Sequence, residues 1–253
     1  MANFVRFEDP DGTVRSGLLQ DAQVAVIREP FWDSVTETGQ RFTLADVRLL
    51  APTRPRTIVC VGLNYASHLG GRPIPDPPTL FFKPLSSLAG PGDEIVLPPD
   101  AGRVDPEGEV VIVIGRELKS VTPEEALAGI FGYTCGNDVS AREWQRADGQ
   151  WWRAKGSDTF GIVGPSVVTG LAHDAIELRT VVNGAEVQHA TTDELIIDIP
   201  GIVSLVSHHL TLVAGDVIYT GTPGSPQPLA PGDVVEVEIT GAGTLRNRVA
   251  GGS

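Results

Sequence analysis

The stretch VDPEGEVVIVIG, residues 104–115, sets Asp105, Glu107 and Glu109 at alternate positions ahead of a β-branched apolar run. At a strand's period of two, such acids point to one side of a sheet. Like carboxylates on one face repel unless a cation sits between them. A second apolar run ends in GNDVSAR and supplies another acid, Asp138. Glu107, Glu109 and Asp138 would then form an oxygen-donor cage at two strand ends. Such a cage suits a hard divalent cation such as Mg²⁺, which keeps waters that a chelating substrate can displace. The plainer alternative is a set of solvated strand-edge charges. Asp105, followed by proline, is expected in the approach loop.

Three other segments carry reactive side chains. LNYASH places Asn64, Tyr65 and His68 directly after the apolar run TIVCVGL. A histidine at a strand end can move a proton near neutral pH, although a structural or merely exposed imidazole is the ordinary case. WWRAKGSD holds Lys155, which can pair with a carboxylate, stabilise an enolate or serve as a plain turn lysine. TGTPGS offers the hydroxyls of Thr220 and Thr222 in a glycine-punctuated turn. His208 and His209 are adjacent on an expected helix, so only one of them can face a common site.

The elements that would position these groups are short. NFVRFEDPDGTVRSGLL reads as a hairpin through DPDG, and the proline-bearing connector APTRPRT follows at 51–57. This divides the chain into a small N-terminal β domain, 1–52, and a main domain, 53–253. The main domain is a succession of strand-like runs, among them EVVIVIG, IFGYTCGND and DVVEVEITGAGTL. Helices are expected over SVTPEEALAGI, where Thr122, Pro123 and Glu125 form a capping signature, and over IPGIVSLVSHHL. A third, shorter one is expected within SAREWQRADGQWW. The fold class is therefore mostly β with a few short helices.

With 253 residues, 41% hydrophobic and 20% charged, the chain has the balance of a globular protein. A formal net charge of −13 argues against a nucleic-acid partner, because phosphate binding needs a basic face. The two cysteines, Cys60 and Cys135, are expected as buried thiols in a reducing compartment. No apolar run long enough to span a membrane and no secretory leader pattern is present, so no membrane partner is expected and the expected location is cytoplasmic.

Taken in order, VGLNYASH, FFKPLSSLAGPGDEIVLPP, VDPEGEVVIVIG, GYTCGNDVSAREWQ, WWRAKGSDTFGIVGP, VNGAEVQ, GDVIYTGTP and LAPGDVVEVEITGAGTL resemble the fumarylacetoacetate hydrolase family, in its bacterial two-domain form. The resemblance implies a mixed β-roll with a metal site at one open end, beside a small N-terminal β domain. It implies metal binding by Glu107, Glu109 and Asp138, catalytic roles for His68 and Lys155, and substrate contacts from Tyr65, Arg142, Gln145 and Thr222. The cofactor implied is Mg²⁺, with Mn²⁺ or Ca²⁺ able to take its place, and the assembly implied is a homodimer. The implied activity acts on a 2-oxo or 2,4-dioxo carboxylate through a metal-stabilised enolate. Many relatives carry an acid three residues after the histidine, in a mobile lid, where this chain has Gly71. That departure favours decarboxylation or isomerisation of a hydroxymuconate-type diacid. The alternatives are C–C hydrolysis of an acylpyruvate and a metal-binding homologue without turnover.

Overall fold

The computed structural model describes residues 1–252. A twelve-stranded sheet dominates, and a five-stranded sheet packs against it. In the large sheet the strand Gly108–Ile114 lies between Ile130–Asp138 and Val217–Tyr219. All seven of its residues are buried, which explains a near-continuous apolar run in place of alternation. The five-stranded sheet shows the opposite pattern. In Val234–Ile239 the residues Val235, Val237 and Ile239 face the core, while Glu236 and Glu238 face outward and pair with Arg246 and Arg179.

The N-terminal strands join the large sheet. Asn3–Glu8 and Val14–Gln20 form the expected hairpin, and Asn3 and Phe4 pair with Val168 and Val167. The connector at 51–57 is tied down. Thr53 donates to the Gly215 carbonyl at 2.7 Å, and the buried Asp216 accepts from the backbone N–H groups of Arg56 and Thr57, both at 2.8 Å, and of Val213 at 2.9 Å.

The helix Pro123–Leu127 carries its capping box between Thr122 and Glu125. The helix Ile199–His209 starts at Asp198, which accepts from Gly201 N–H at 2.8 Å, and buries Ile202, Val203 and Val206 in the main core. The third helical segment is broken in two, Arg142–Ala147 and Trp152–Gly156, with residues 148–151 between them. Lys155 therefore lies in the last turn of a short helix and not in a turn between strands.

Gly108 fixes the closeness of the two sheets. A Cβ there would lie 1.8 Å from Thr180 Oγ1 on the facing sheet, so only hydrogen fits at that crossing.

Asp216→Ala leaves three part-buried backbone N–H groups without their acceptor, and each such loss costs up to about 1–3 kcal/mol. The variant is expected to lose at least about 2 kcal/mol of stability in urea unfolding, with most of the loss in faster unfolding.

Candidate functional site

Register brings the acids together. Gly108 pairs with Asn137 and Glu109 with Gly136, and Asp138 N–H donates to the Glu107 carbonyl at 2.8 Å. Opposed residues of an antiparallel pair share a face, so Glu107, Glu109 and Asp138 converge. One carboxylate oxygen from each lies within 4.8 Å of the others, and all three side chains are buried. Burial excludes the solvated strand-edge alternative.

Asp105 differs from the expectation of an approach loop. It is buried in the short strand Val104–Asp105, which pairs with Ser140–Ala141. Arg103 Nε and Arg142 Nε each donate to it at 2.7 Å. Two arginines hold it away from the cage, as the counter-ion that steers Arg142.

Cations meet the cage from three elements. Arg142 Nη2 lies 2.6 Å from Glu107 Oε1, and its Nη1 donates to Gln145 Oε1 at 2.9 Å. Lys155 Nζ bonds both Glu107 and Asp138, the latter at 2.8 Å. Lys83 Nζ sits 2.5 Å from Asp138 Oδ1 and also donates to the Phe160 carbonyl at 2.8 Å. Lys83 was not anticipated. Its signal was a lysine embedded among apolar residues in LFFKP, where a buried ammonium needs an acid.

These pairs set the protonation pattern. Burial alone would raise the Glu107 carboxyl, but Lys155, Arg142 and His68 outweigh it and hold the group well below the ordinary glutamate range. Burial works against the Lys155 charge, and Asp138 and Glu107 reverse that, so the ammonium is held above its ordinary value. Glu109 has weaker help, from Lys155 at a distance and from one backbone N–H. Burial, Asp138 and Glu107 push its carboxyl well up, and its hydrogen bond is from Gly221 N–H at 2.6 Å. Among the described residues no cation pairs with it. A buried carboxylate between two others, with only hard oxygen donors around it, fits a divalent cation held by Glu107, Glu109 and Asp138.

His68 ends the short 3₁₀ turn Ala66–His68, which Asn64 anchors through hydrogen bonds with Ile197 and Thr220. Its Nδ1 lies 2.5 Å from the Gly224 carbonyl. A carbonyl can only accept, so Nδ1 carries a proton and Nε2 is the ring nitrogen turned toward the cage. Nε2 is 3.7 Å from Glu107 Oε1. The Gly224 carbonyl thus orients the ring where many relatives use a lid acid. Gly71 itself has φ +82°, and a Cβ at that position would meet no atom within 4 Å. An acid would find space there but would strain the backbone.

A cavity of about 300 Å³ opens over the cage. His68, Glu107, Glu109, Asp138, Arg142, Gln145, Lys155 and Thr222 all line it. Tyr65 does not: it is buried, and its hydroxyl points to the Thr191 carbonyl at 3.4 Å. Thr222 donates to the Gly108 carbonyl at 2.9 Å and accepts from Gln188 Nε2 at 2.6 Å. Gln188 Oε1 in turn accepts from Gly108 N–H at 2.9 Å, which clamps the TGTP turn to the strand bearing the acids. Gln188 was legible only as the inward member of an alternating strand.

Glu109→Gln is expected to abolish calorimetric binding of Mg²⁺ or Mn²⁺ and the rise in melting temperature that either ion produces. In chelator the variant is expected to be the more stable protein. Its advantage should grow as pH rises above 4.5, because ionising a carboxyl whose folded-state value is raised costs the wild type stability there. Equal cation affinity in the two proteins would contradict the assignment.

Comparison with known proteins bears on the same segments. Residues 57–250 match the fumarylacetoacetate (FAA) hydrolase C-terminal family, and residues 3–52 match the Rv2993c-like N-terminal family. Human mitochondrial oxaloacetate tautomerase FAHD2A is 40% identical over 220 residues, which covers 81% of this chain and 70% of that protein. The crystal structure of a 2-hydroxyhepta-2,4-diene-1,7-dioate isomerase from Mycobacterium marinum superposes with a TM-score of 0.92 at 43% identity, covering 99% of both chains. A maleylpyruvate hydrolase from Sphingobium sp. SYK-6, solved with manganese(II) and pyruvate, superposes with a TM-score of 0.82 at 29% identity, covering 99% of this chain and 100% of that one. With its family match spanning most of the sequence and a buried acidic cage at the matching strands, the chain belongs to the fumarylacetoacetate hydrolase family.

Proposed function

We propose that this metal-assisted enzyme interconverts enol and keto forms of a 2-oxo diacid, or decarboxylates it, through a shared enolate. One observation carries the choice: His68 Nε2, held toward the acidic cage by the bond between Nδ1 and a backbone carbonyl. A divalent cation held by Glu107, Glu109 and Asp138 supplies Lewis acidity to the keto and carboxylate oxygens of a bound 2-oxo acid. We take the ion to be Mg²⁺, with Mn²⁺ or Ca²⁺ able to replace it, because all three donors are carboxylates.

The chain's own residues divide the remaining work. Lys155 puts a fixed positive charge at the cage, where negative charge develops on the substrate oxygen. Gln145 uses its carbonyl on Arg142, which leaves its amide N–H groups for the substrate. Thr222, both donating and accepting within the protein, shapes the wall. His68 Nε2 takes the proton from the carbon beside the keto group and returns it to oxygen, or the reverse. One base moving one proton suffices for isomerisation. Hydrolysis also needs an activated water, and the position that carries an acid in many relatives is Gly71 here. The tautomerase and isomerase relatives at 40% and 43% identity support the same choice over hydrolases at 34% and 29%.

The test is product analysis at one Mg²⁺ concentration, with enol–keto conversion and decarboxylation of 2-oxo diacids set against cleavage of an acylpyruvate. Conversion or decarboxylation is expected to be faster, and His68→Asn should slow it by about 10²–10⁴-fold. Lys155→Met should lower kcat while tightening Mg²⁺ binding, because the lost ammonium competes for two cage carboxylates. Cleavage as the fastest reaction would favour the hydrolase, and no turnover of any substrate would favour a binding protein.

The proposed assembly is a homodimer. The edge strand Thr79–Phe82 ends the large sheet with Phe82 57% exposed, and Leu85 and Trp152 lie nearby at 52% and 68%. A cavity of about 1300 Å³ lined by Phe82, Val96 and Trp152 runs along this edge. Light scattering is expected to report twice the chain mass, and Phe82→Glu to shift it toward one. The proposed location remains the cytoplasm, where the free, buried Cys60 and Cys135 stay reduced. Among the described residues no helix is long and apolar enough to cross a membrane.

A further inference from the structure

We propose that Arg72 sets the substrate specificity of this cavity by receiving the distal carboxylate of a dianionic substrate. The proposal rests on the 2-oxo diacid reading above and names the residue that would enforce it.

Arg72, Arg142, Arg146 and Lys155 are the arginines and lysine that line the cavity over the cage. Three of them are engaged by carboxylates. Arg142 pairs with Asp105 and Glu107, Lys155 with Glu107 and Asp138, and Arg146 lies 3.4 Å from Glu143. Arg72 has no acidic partner among the described residues. Its Nε donates to the Leu69 carbonyl at 2.8 Å, and Nη2 reaches the His68 carbonyl at 3.5 Å. Those two bonds tie the guanidinium to the turn that carries His68 and leave most of its N–H groups available.

The backbone explains how it arrives there. Gly70 and Gly71 have φ +58° and +82°, two successive left-handed residues that reverse the chain, and Arg72 N–H closes the turn on the Leu69 carbonyl at 3.1 Å. Gly71 and Arg72 are therefore neighbours in one tight turn. Where a carboxylate would repel a dianion, this turn presents a guanidinium.

Electrostatics favours such a group at the rim, because the cations at the floor are already paired with its acids. The chain carries a net charge of −13, and the cavity floor holds three carboxylates. A substrate whose first carboxylate lies at the cage brings its second negative charge toward the rim. A guanidinium can take that group with two parallel hydrogen bonds, which a neutral wall cannot offer.

The experiment compares a 2-oxo dicarboxylate with its distal monoamide, both with saturating Mg²⁺, on wild type, Arg72→Gln, Arg72→Lys and Arg146→Gln. Wild type is expected to prefer the diacid. In Arg72→Gln the diacid-to-amide ratio of kcat/KM should fall about tenfold or more, mainly through KM, with partial recovery in Arg72→Lys. Arg146→Gln should keep the wild-type ratio. An unchanged ratio in Arg72→Gln, or a ratio lost in Arg146→Gln instead, overturns the proposal. If wild type turns over neither compound, the reaction reading fails, and the ratio of the two Kd values by calorimetry decides the role of Arg72 on its own.

Discussion

Four carboxylates are buried in one region of this protein: Asp105, Glu107, Glu109 and Asp138. Each buried ion costs several kcal/mol unless it is paired, so the surrounding structure is organised around delivering cations to it. Lys83 arrives from the end of an edge strand, Lys155 from a five-residue helix and Arg142 from the start of another. The short, broken helices follow from this, since each need only present one basic side chain. Three acids are satisfied in that way, and Glu109, without an ion pair, keeps an oxygen within 4.8 Å of those of Glu107 and Asp138. The charge imbalance is local, and it is what makes the cage a receptor for a cation.

Some of this could be read from residue types and spacing. Period-two acids next to a β-branched run pointed to Glu107 and Glu109, and the terminal acid of IFGYTCGND pointed to Asp138, because strand chemistry is local and regular. The partners were less legible. Lys83 lies 55 residues from Asp138, and Gln188 lies 80 from Gly108, so their meeting depends on sheet order, which no local pattern encodes. Asp105 misled for a related reason. Its following proline suggested a loop, but Arg142, brought close by the pairing of Val104–Asp105 with Ser140–Ala141, makes it a buried ion. Tyr65 shows the limit of resemblance. It sits between two residues that face inward usefully, Asn64 and His68, yet its own side chain serves the core.

The orientation of His68 also changes what the missing lid acid means. A carboxylate would fix the tautomer and lend negative charge to an imidazolium, whereas the Gly224 carbonyl does only the first. An oriented ring whose neighbouring acid, Glu107, is already paired with Lys155 and Arg142 can take up a proton and give it back, which is what a tautomer exchange requires. In the proposed roles, substrate recognition and proton transfer would come from one loop, with Arg72 four residues beyond the imidazole.

The strand Asn3–Glu8 bears on the order in which the chain is made. Its Asn3 and Phe4 pair with residues near Val168, which a ribosome adds roughly ten to thirty seconds later. An open edge for that long invites pairing with other nascent chains. The strand Arg48–Leu50 meets this early, covering Arg6, Phe7 and Glu8 of the same edge as soon as the first fifty residues emerge. Only Asn3, Phe4 and Val5 wait, so half of the strand's open edge is closed before the main sheet is made.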